Sequence, residues 1–332
     1  MKKIIVFLFI ATIGLALGIY FSQKKPSSTL PQKTSGPATE PGEIPITGIP
    51  ISQPTYVVDQ TYAFPDSIEQ YRVVSTTQTA TISSFLTRFF NFSSPPNTIN
   101  GSKGAYSIWN ESEKTLIVGG SPLEASYSVS NTPTKTLSSS TAQYEIAAFA
   151  FLSELTTLFG NATPELVSTT FLSPSNEDPV PVEDPTKATV FLANYRLSLD
   201  THPLLSRSAN IESVSVGIDA DKNVLSFRSY VFPEFAKSSS PVSLMSYEEA
   251  KNNLFSGTGA LIEFSYIGGD TKENVILQPS IPPTRSTIYA VQLGYFFSPV
   301  EEILTPVYLF LGKGTDSSGN LLSTTTVVSA TK

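Results

Sequence analysis

Cysteine is absent from the 332 residues of this chain. That excludes disulfides, thiolate catalysis and zinc–cysteine sites, and it removes the residue on which a lipobox lipid anchor is built. Histidine occurs once, at His202. Charge is also scarce: 15% of residues are charged against 40% hydrophobic, so most of the chain has the apolar content to bury a core without cross-links. The net charge of −7 hides an asymmetry. Lys2, Lys3, Lys24, Lys25 and Lys33 precede every acidic residue, which leaves the body with 16 basic against 28 acidic groups, a net −12. A phosphate backbone would be repelled by such a body, and no basic patch offsets it, so nucleic acid is not an expected partner.

What is present begins at the N-terminus. Ile4 to Phe21 is an apolar run of 18 residues behind Lys2 and Lys3. About 20 residues at 1.5 Å each cross ~30 Å of hydrocarbon, so residues 1–21 read as a signal-anchor transmembrane helix that meets membrane lipid through residues 4–21. A cleaved signal peptide, with small residues at Ala16-Leu17-Gly18, is the rival reading. Either places the remainder outside the cytoplasm: a single-pass membrane protein with an extracytoplasmic C-terminal domain, or a secreted one if cleavage occurs. Residues 22–58, rich in Pro, Ser and Thr, read as a disordered linker; ~35 residues in extended conformation reach roughly 100 Å.

Three segments then show helical apolar spacing with start signals, each followed by strands. Ile82, Phe85, Leu86 and Phe89 follow the i, i+3, i+4, i+7 pattern, with Ser75 and Gln78 as a capping box. Ser140 and Gln143 form the second box, with Gly160 as the stop; Ser246 and Glu249 form the third, with Gly257 as the stop. Alternation such as Ser213-Val214-Ser215-Val216 suits sheets with one covered face. The expected fold class is therefore α+β, a helix packed on an antiparallel β-sheet used three times, at residues 59–136, 137–235 and 236–332. The apolar stretch Val291–Gly312 is broken by Pro299, Glu301, Glu302 and Pro306, so it reads as two core strands joined by a short acidic loop.

Catalytic and metal-binding patterns are incomplete. His202 with Asp200 is a fragment of a Ser-His-Asp arrangement, but no Gly-x-Ser-x-Gly elbow accompanies it, and its setting is that of a turn residue. Asp219 to Asn223 copies half of a calcium loop, then departs at Val224 and Tyr230. Glu177, Asp178, Glu183 and Asp184 could offer an acid/base pair or weak calcium ligands, or form a solvated loop. Gly312-Lys313-Gly314 lacks the remainder of a phosphate loop and reads as a turn. Asn91, Asn100, Asn110 and Asn161 open glycosylation patterns. Of the abundant aromatics, the pairs Phe89-Phe90 and Phe296-Phe297 are notable because neighbours on a strand face opposite ways. No catalytic, cofactor or metal residue is assigned, and partner-binding residues stay unassigned.

The run "LSLDTHPLL", "VSVGIDADKNVLSF", "MSYEEAKNNLFSG" and "VQLGYFF…LTPVYLFLG" resembles extracytoplasmic regulators of the YycH/YycI type and the related PepSY-like domains, over residues 185–330. Leu293, Tyr295, Phe296, Pro306 and Tyr308 stand at the family's final strands, and Glu248, Glu249 and Ala250 at its helix. The resemblance implies a non-enzymatic module that binds another envelope or membrane protein. The expected function is thus a membrane-anchored extracytoplasmic binding module that regulates or scaffolds a protein partner, without a cofactor. The alternative is a structural or adhesive cell-envelope protein that binds wall polymer.

Overall fold

The computed structural model describes residues 54–75, 79–174, 179–206, 213–266, 282–298 and 302–332. In chain order, β1 (Thr55–Val58), β2 (Ser67–Ile68) and β3 (Tyr71–Ser75) lead to helix α1 (Thr79–Phe89). A meander follows: β4 (Asn97–Gly101), β5 (Gly104–Glu111), β6 (Lys114–Gly119) and β7 (Glu124–Val129). Helix α2 (Ala142–Glu154) precedes β8 (Thr163–Ser173), β9 (Val180–Val182), β10 (Val190–Leu199), β11 (His202–Ser206), β12 (Val214–Asp219) and β13 (Val224–Tyr230). After the short β14 (Glu234–Lys237) and β15 (Val242–Ser243) come α3 (Tyr247–Phe255), β16 (Ala260–Tyr266), β17 (Arg285–Ser298), β18 (Ile303–Thr315) and β19 (Leu321–Ser329). β1 takes up the last four residues of the segment read as linker.

The strand pairings define the architecture. β4, β5, β6 and β7 pair in succession, and β7 then pairs antiparallel with β13, register Tyr127 opposite Phe227. From β13 the sheet continues through β12 and β10 to β8 and β9. Two meanders, one of four strands and one of five, are thus joined through their last strands, and α1 packs on β6 and α2 on β12. The alternation foreseen at residues 213–216 is the cause: Val214, Val216 and Ile218 are buried beneath α2 while Ser215 faces the other way. Over the seam, Phe90 stacks on Tyr127 at 3.9 Å and Phe151 meets Phe227 edge-on at 5.5 Å. The pair Phe89-Phe90 is therefore cover for the joint.

The C-terminal strands run β16, β19, β18, β17. β17 carries β1 and β11 in parallel along its free edge, and α3 packs on β19 and β1. Gly294 to Ser298 are all buried, so the end of β17 has both faces covered. Phe296 packs with Leu205, Val307 and Leu309, whereas Phe297 meets Phe232 and Phe235. Pro306 lies inside β18, opposite Tyr295. Its missing N–H falls where the ladder to β19 only begins, at Val307. Gly312 and Gly314 also lie inside β18 rather than in a turn. A Cβ on Gly312 would stand 2.3 Å from Ser286 Oγ, which shares a 2.6 Å hydrogen bond with Thr324.

Two expectations are corrected here. The α+β class, with repeated helix-on-sheet units, gives way to a mostly β molecule: nineteen strands and three helices among the described residues. The three segments pair with one another, β7 to β13 and β11 to β17, because a meander standing alone leaves an unpaired edge. The predicted signal-anchor helix at residues 4–21 lies outside the described residues. Among those described, no helix is long and apolar enough to cross a membrane, so the single-pass, transmembrane description is withdrawn.

Local signals fared unevenly. The Ser246–Glu249 capping box forms in full at α3. At α2 the N-cap is Thr141 without a side-chain bond, and Gln143 turns instead to Ser138 Oγ at 2.5 Å. Gln78 lies outside the described residues. An internal repeat appears at the hairpins: Gly217–Ser226 and Gly314–Ser323 share the pattern G-x-D-x-x-x-N-(V/L)-L-S. In both, the Asp Oδ1 accepts two backbone N–H bonds and Oδ2 accepts the Asn side chain. The fourth loop residue, Lys222 or Gly319, takes the left-handed conformation.

Glu111 clamps the loop after α1, accepting from Ser93 N at 2.6 Å, Ser93 Oγ at 2.8 Å and Ser94 N at 2.5 Å. These bonds, led by the Ser93 hydroxyl, hold its carboxyl down to about 2. A folded value below the unfolded one contributes stability above pH 4.5 that is lost as pH falls toward 2. Glu111→Gln is therefore expected to lower the melting temperature at pH 7, with the gap to wild type closing by pH 2. A gap of the same size at both pH values would show that the carboxylate charge is not what holds the loop.

Candidate binding surface

Helix α2, AQYEIAAFAFLSE, is apolar on every side. Tyr144, Ala148 and Leu152, at four-residue spacing, are buried against the sheet. Ile146, Phe149 and Ala150 (i, i+3, i+4) point outward, with Ile146 70% and Phe149 52% exposed. A helix apolar all round is ordinarily enclosed on both sides. Beside it runs β8, placed there by its pairing with β10, and Leu166 of β8 is 44% exposed. The two elements frame a groove of about 500 Å³ lined by Ile146, Phe149, Pro164, Leu166 and Tyr195. Glu145 supplies its one charged side chain. Burial, and then the Glu145 carboxylate, push the Tyr195 phenol up to about 12.

Two features decide how the groove can be used. β8 is unsuited to accept an added strand beside it: Pro164 has no N–H, and the register with β10 skips Val167, leaving a bulge. Both devices blunt an edge, so a ligand must bind through side chains that fill the groove. The charge is one-sided as well, since α2 carries Glu145 and Glu154 and no basic residue.

No family model, curated protein or solved structure matches this chain. The functional argument therefore rests on the residues themselves.

The groove residues were not singled out from the sequence, although the apolar residues around the whole circumference of α2 were a signal available there. Of the residues that were singled out, His202 opens β11. Its Nδ1 lies 2.8 Å from the backbone oxygen of Asp200, not from the carboxylate. A carbonyl only accepts, so Nδ1 is the donor, and the pair is not the His–Asp relay of a hydrolase. Asp200 and Thr201 form a two-residue hairpin loop with φ of 48° and 69°. Such values suit Asn or Gly, and they are strained for a β-branched threonine. The Asp200 carboxylate accepts from Lys237 Nζ at 2.5 Å and from the Tyr71 hydroxyl, and these two, in that order, lower its pKa. This cluster fastens β10–β11 to β3 and β14.

The Asp219 carboxylate is turned onto its own loop, as described, and Asp221 pairs with Lys135. Asp184 accepts from Thr186 N at 3.0 Å and Thr186 Oγ1 at 2.7 Å, capping a short 3-10 turn beside Glu183. Glu177 and Asp178 lie outside the described residues. Asn161 is committed at both ends of its amide: Nδ2 donates to Phe235 O at 2.8 Å and Oδ1 accepts from Phe235 N at 3.0 Å. All four sequon asparagines are exposed, Asn161 included. Leu293, Tyr295, Phe296 and Tyr308, which carry the family resemblance, are core residues rather than a surface.

Proposed function

We propose that this protein is a non-enzymatic binding module, working outside the cytoplasm, whose groove between α2 and β8 takes a short amphipathic segment of a partner protein. The observation that carries this is the solvent-facing apolar stripe Ile146–Phe149–Ala150 on a helix already packed on its other side. A standard interface needs ~20–30 residues from each side, far more than this patch offers, so the occupant is a segment rather than a second globular surface. The acidic helix adds charge complementarity: the segment carries Lys or Arg next to its apolar anchors, and the body's net −12 steers such a partner inward. The apolar run at residues 4–21 supports the location, and the likeness to extracytoplasmic regulators points to the same class of function.

Phe149→Glu is the test. Its side chain is half exposed, so folding is expected to be unaffected, with a melting temperature equal to wild type. A cross-linking pull-down with the full chain should enrich one membrane or envelope protein for the wild type and lose it for Phe149→Glu. A synthetic peptide covering the cross-linked partner segment should bind the variant at least about tenfold more weakly. Equal capture by both proteins would refute the groove. Retention of wall polymer by both, with no protein enriched, would favour the structural alternative.

A further inference from the structure

A second cavity, of about 320 Å³, is enclosed by residues 61–66, the first turn of α3 and Tyr308. Along the extended segment, Tyr62 and Phe64 turn inward while Ala63 and Pro65 are exposed. The rings form a continuous aromatic wall: Tyr62 meets Tyr247 edge-on at 5.5 Å, Phe64 lies 6.2 Å from Tyr247, and Phe64 meets Tyr308 edge-on at 5.0 Å. Every phenol in that wall has an acceptor within the chain for its hydrogen. The Tyr62 hydroxyl lies 3.0 Å from both Tyr289 O and Gln60 Oε1, Tyr247 donates to Gln60 O at 2.9 Å and Tyr308 to Met245 O at 2.8 Å.

That commitment selects the ligand. With their hydroxyls spent, the rings offer the cavity π surface rather than hydrogen-bond partners, and donation of the phenolic hydrogen makes a ring more electron-rich. A quaternary ammonium brings no N–H groups, so it needs nothing beyond the ring surfaces and the carboxylates to hold it. Asp66 and Glu248 add negative charge to the lining, and Lys332 is its one basic residue. An internal precedent is present. Lys251 Nζ lies 5.9 Å from the Tyr247 ring centroid and 3.7 Å from Glu248, so this ring and carboxylate already attract a cation. The α3 N-terminus does not compete as an anion site, because the Ser246–Glu249 capping box fills it.

We propose that this cavity binds a quaternary ammonium head group, held against the faces of Tyr62, Phe64 and Tyr247 with Asp66 and Glu248 at its rim. The head group could come from a free small molecule or from a lipid. The test is calorimetric titration of the full chain with choline, beside its neutral isostere 3,3-dimethylbutan-1-ol. Choline is expected to bind at least about tenfold more tightly than the isostere. Phe64→Leu keeps apolar volume but removes the ring face, and should weaken choline at least about fivefold, while Phe64→Tyr retains binding. Phe149→Glu should leave choline binding unchanged, which separates this site from the groove. Added co-sedimentation with phosphatidylcholine vesicles would assign the lipid source, and choline binding without it the free molecule. Absent choline binding, equal affinity for the isostere, or unchanged affinity in a folded Phe64→Leu would each overturn the proposal.

Discussion

Truncating Phe227 to alanine is expected to cost about 3–5 kcal/mol, the range for removing a fully buried aromatic ring. Phe227 is 2% exposed on β13, directly opposite Tyr127 of β7, and its ring meets Phe151 of α2. The void would open beneath both helices at the joint between the two meanders, where the Phe90–Tyr127 stack leaves little freedom to collapse. Urea denaturation measures this directly, with the fall in midpoint at constant slope giving the loss. A cost below about 1 kcal/mol would mean that the joint is not packed as described.

Gly160→Ala should be comparably damaging for a different reason, about 2–5 kcal/mol from backbone strain and overpacking together. Gly160 has a φ of 58°, in the left-handed region, and a Cβ there would stand 2.2 Å from the backbone oxygen of Pro233. The obstacle is main chain, so no side-chain rotation relieves it. The surroundings are held from both sides: Phe232 N donates to Leu158 O at 2.9 Å, and the Asn161 amide grips Phe235. Thermal melting of Gly160→Ala beside Gly257→Ala makes the comparison. Gly257 is also left-handed, at φ 81°, but has open space around it and should lose less. Equal losses would assign the whole effect to φ and none to the Pro233 contact.

What the sequence disclosed follows the range of each signal. The Ser246–Glu249 box was legible because a capping box is complete within four residues. The two strands of residues 291–312 were legible because proline and charge interrupt an apolar run locally. Gly312 and Gly314 misled because glycine marks both turns and close approaches, and only the position of Ser286 shows which applies. Pairing of β7 with β13 could not be read, since alternation shows that a strand has two faces but not which distant strand lies beside it. The groove was half legible. The exposed stripe of α2 is in its composition, while the adjacency of Leu166 depends on a pairing outside that helix. The Asp219 and Asp316 loops share a ten-residue pattern, which shows that the two hairpins are built alike.

The joint between the meanders also governs the order of assembly. Within each meander, β4 to β7 or β8 to β13, neighbouring strands connect through short stretches of chain and close quickly. Residues 124–128 must find 226–230 across everything between them, and that loop entropy falls due before any seam contact forms. Each half is therefore expected to condense on its own helix first, with the seam aromatics packing last. The Phe89 ring of α1 meets Phe151 of α2 across the halves at 5.8 Å, and residues that pack last contribute little to the folding transition state, so Phe89→Ala should act mainly by accelerating unfolding and leave the folding rate nearly unchanged.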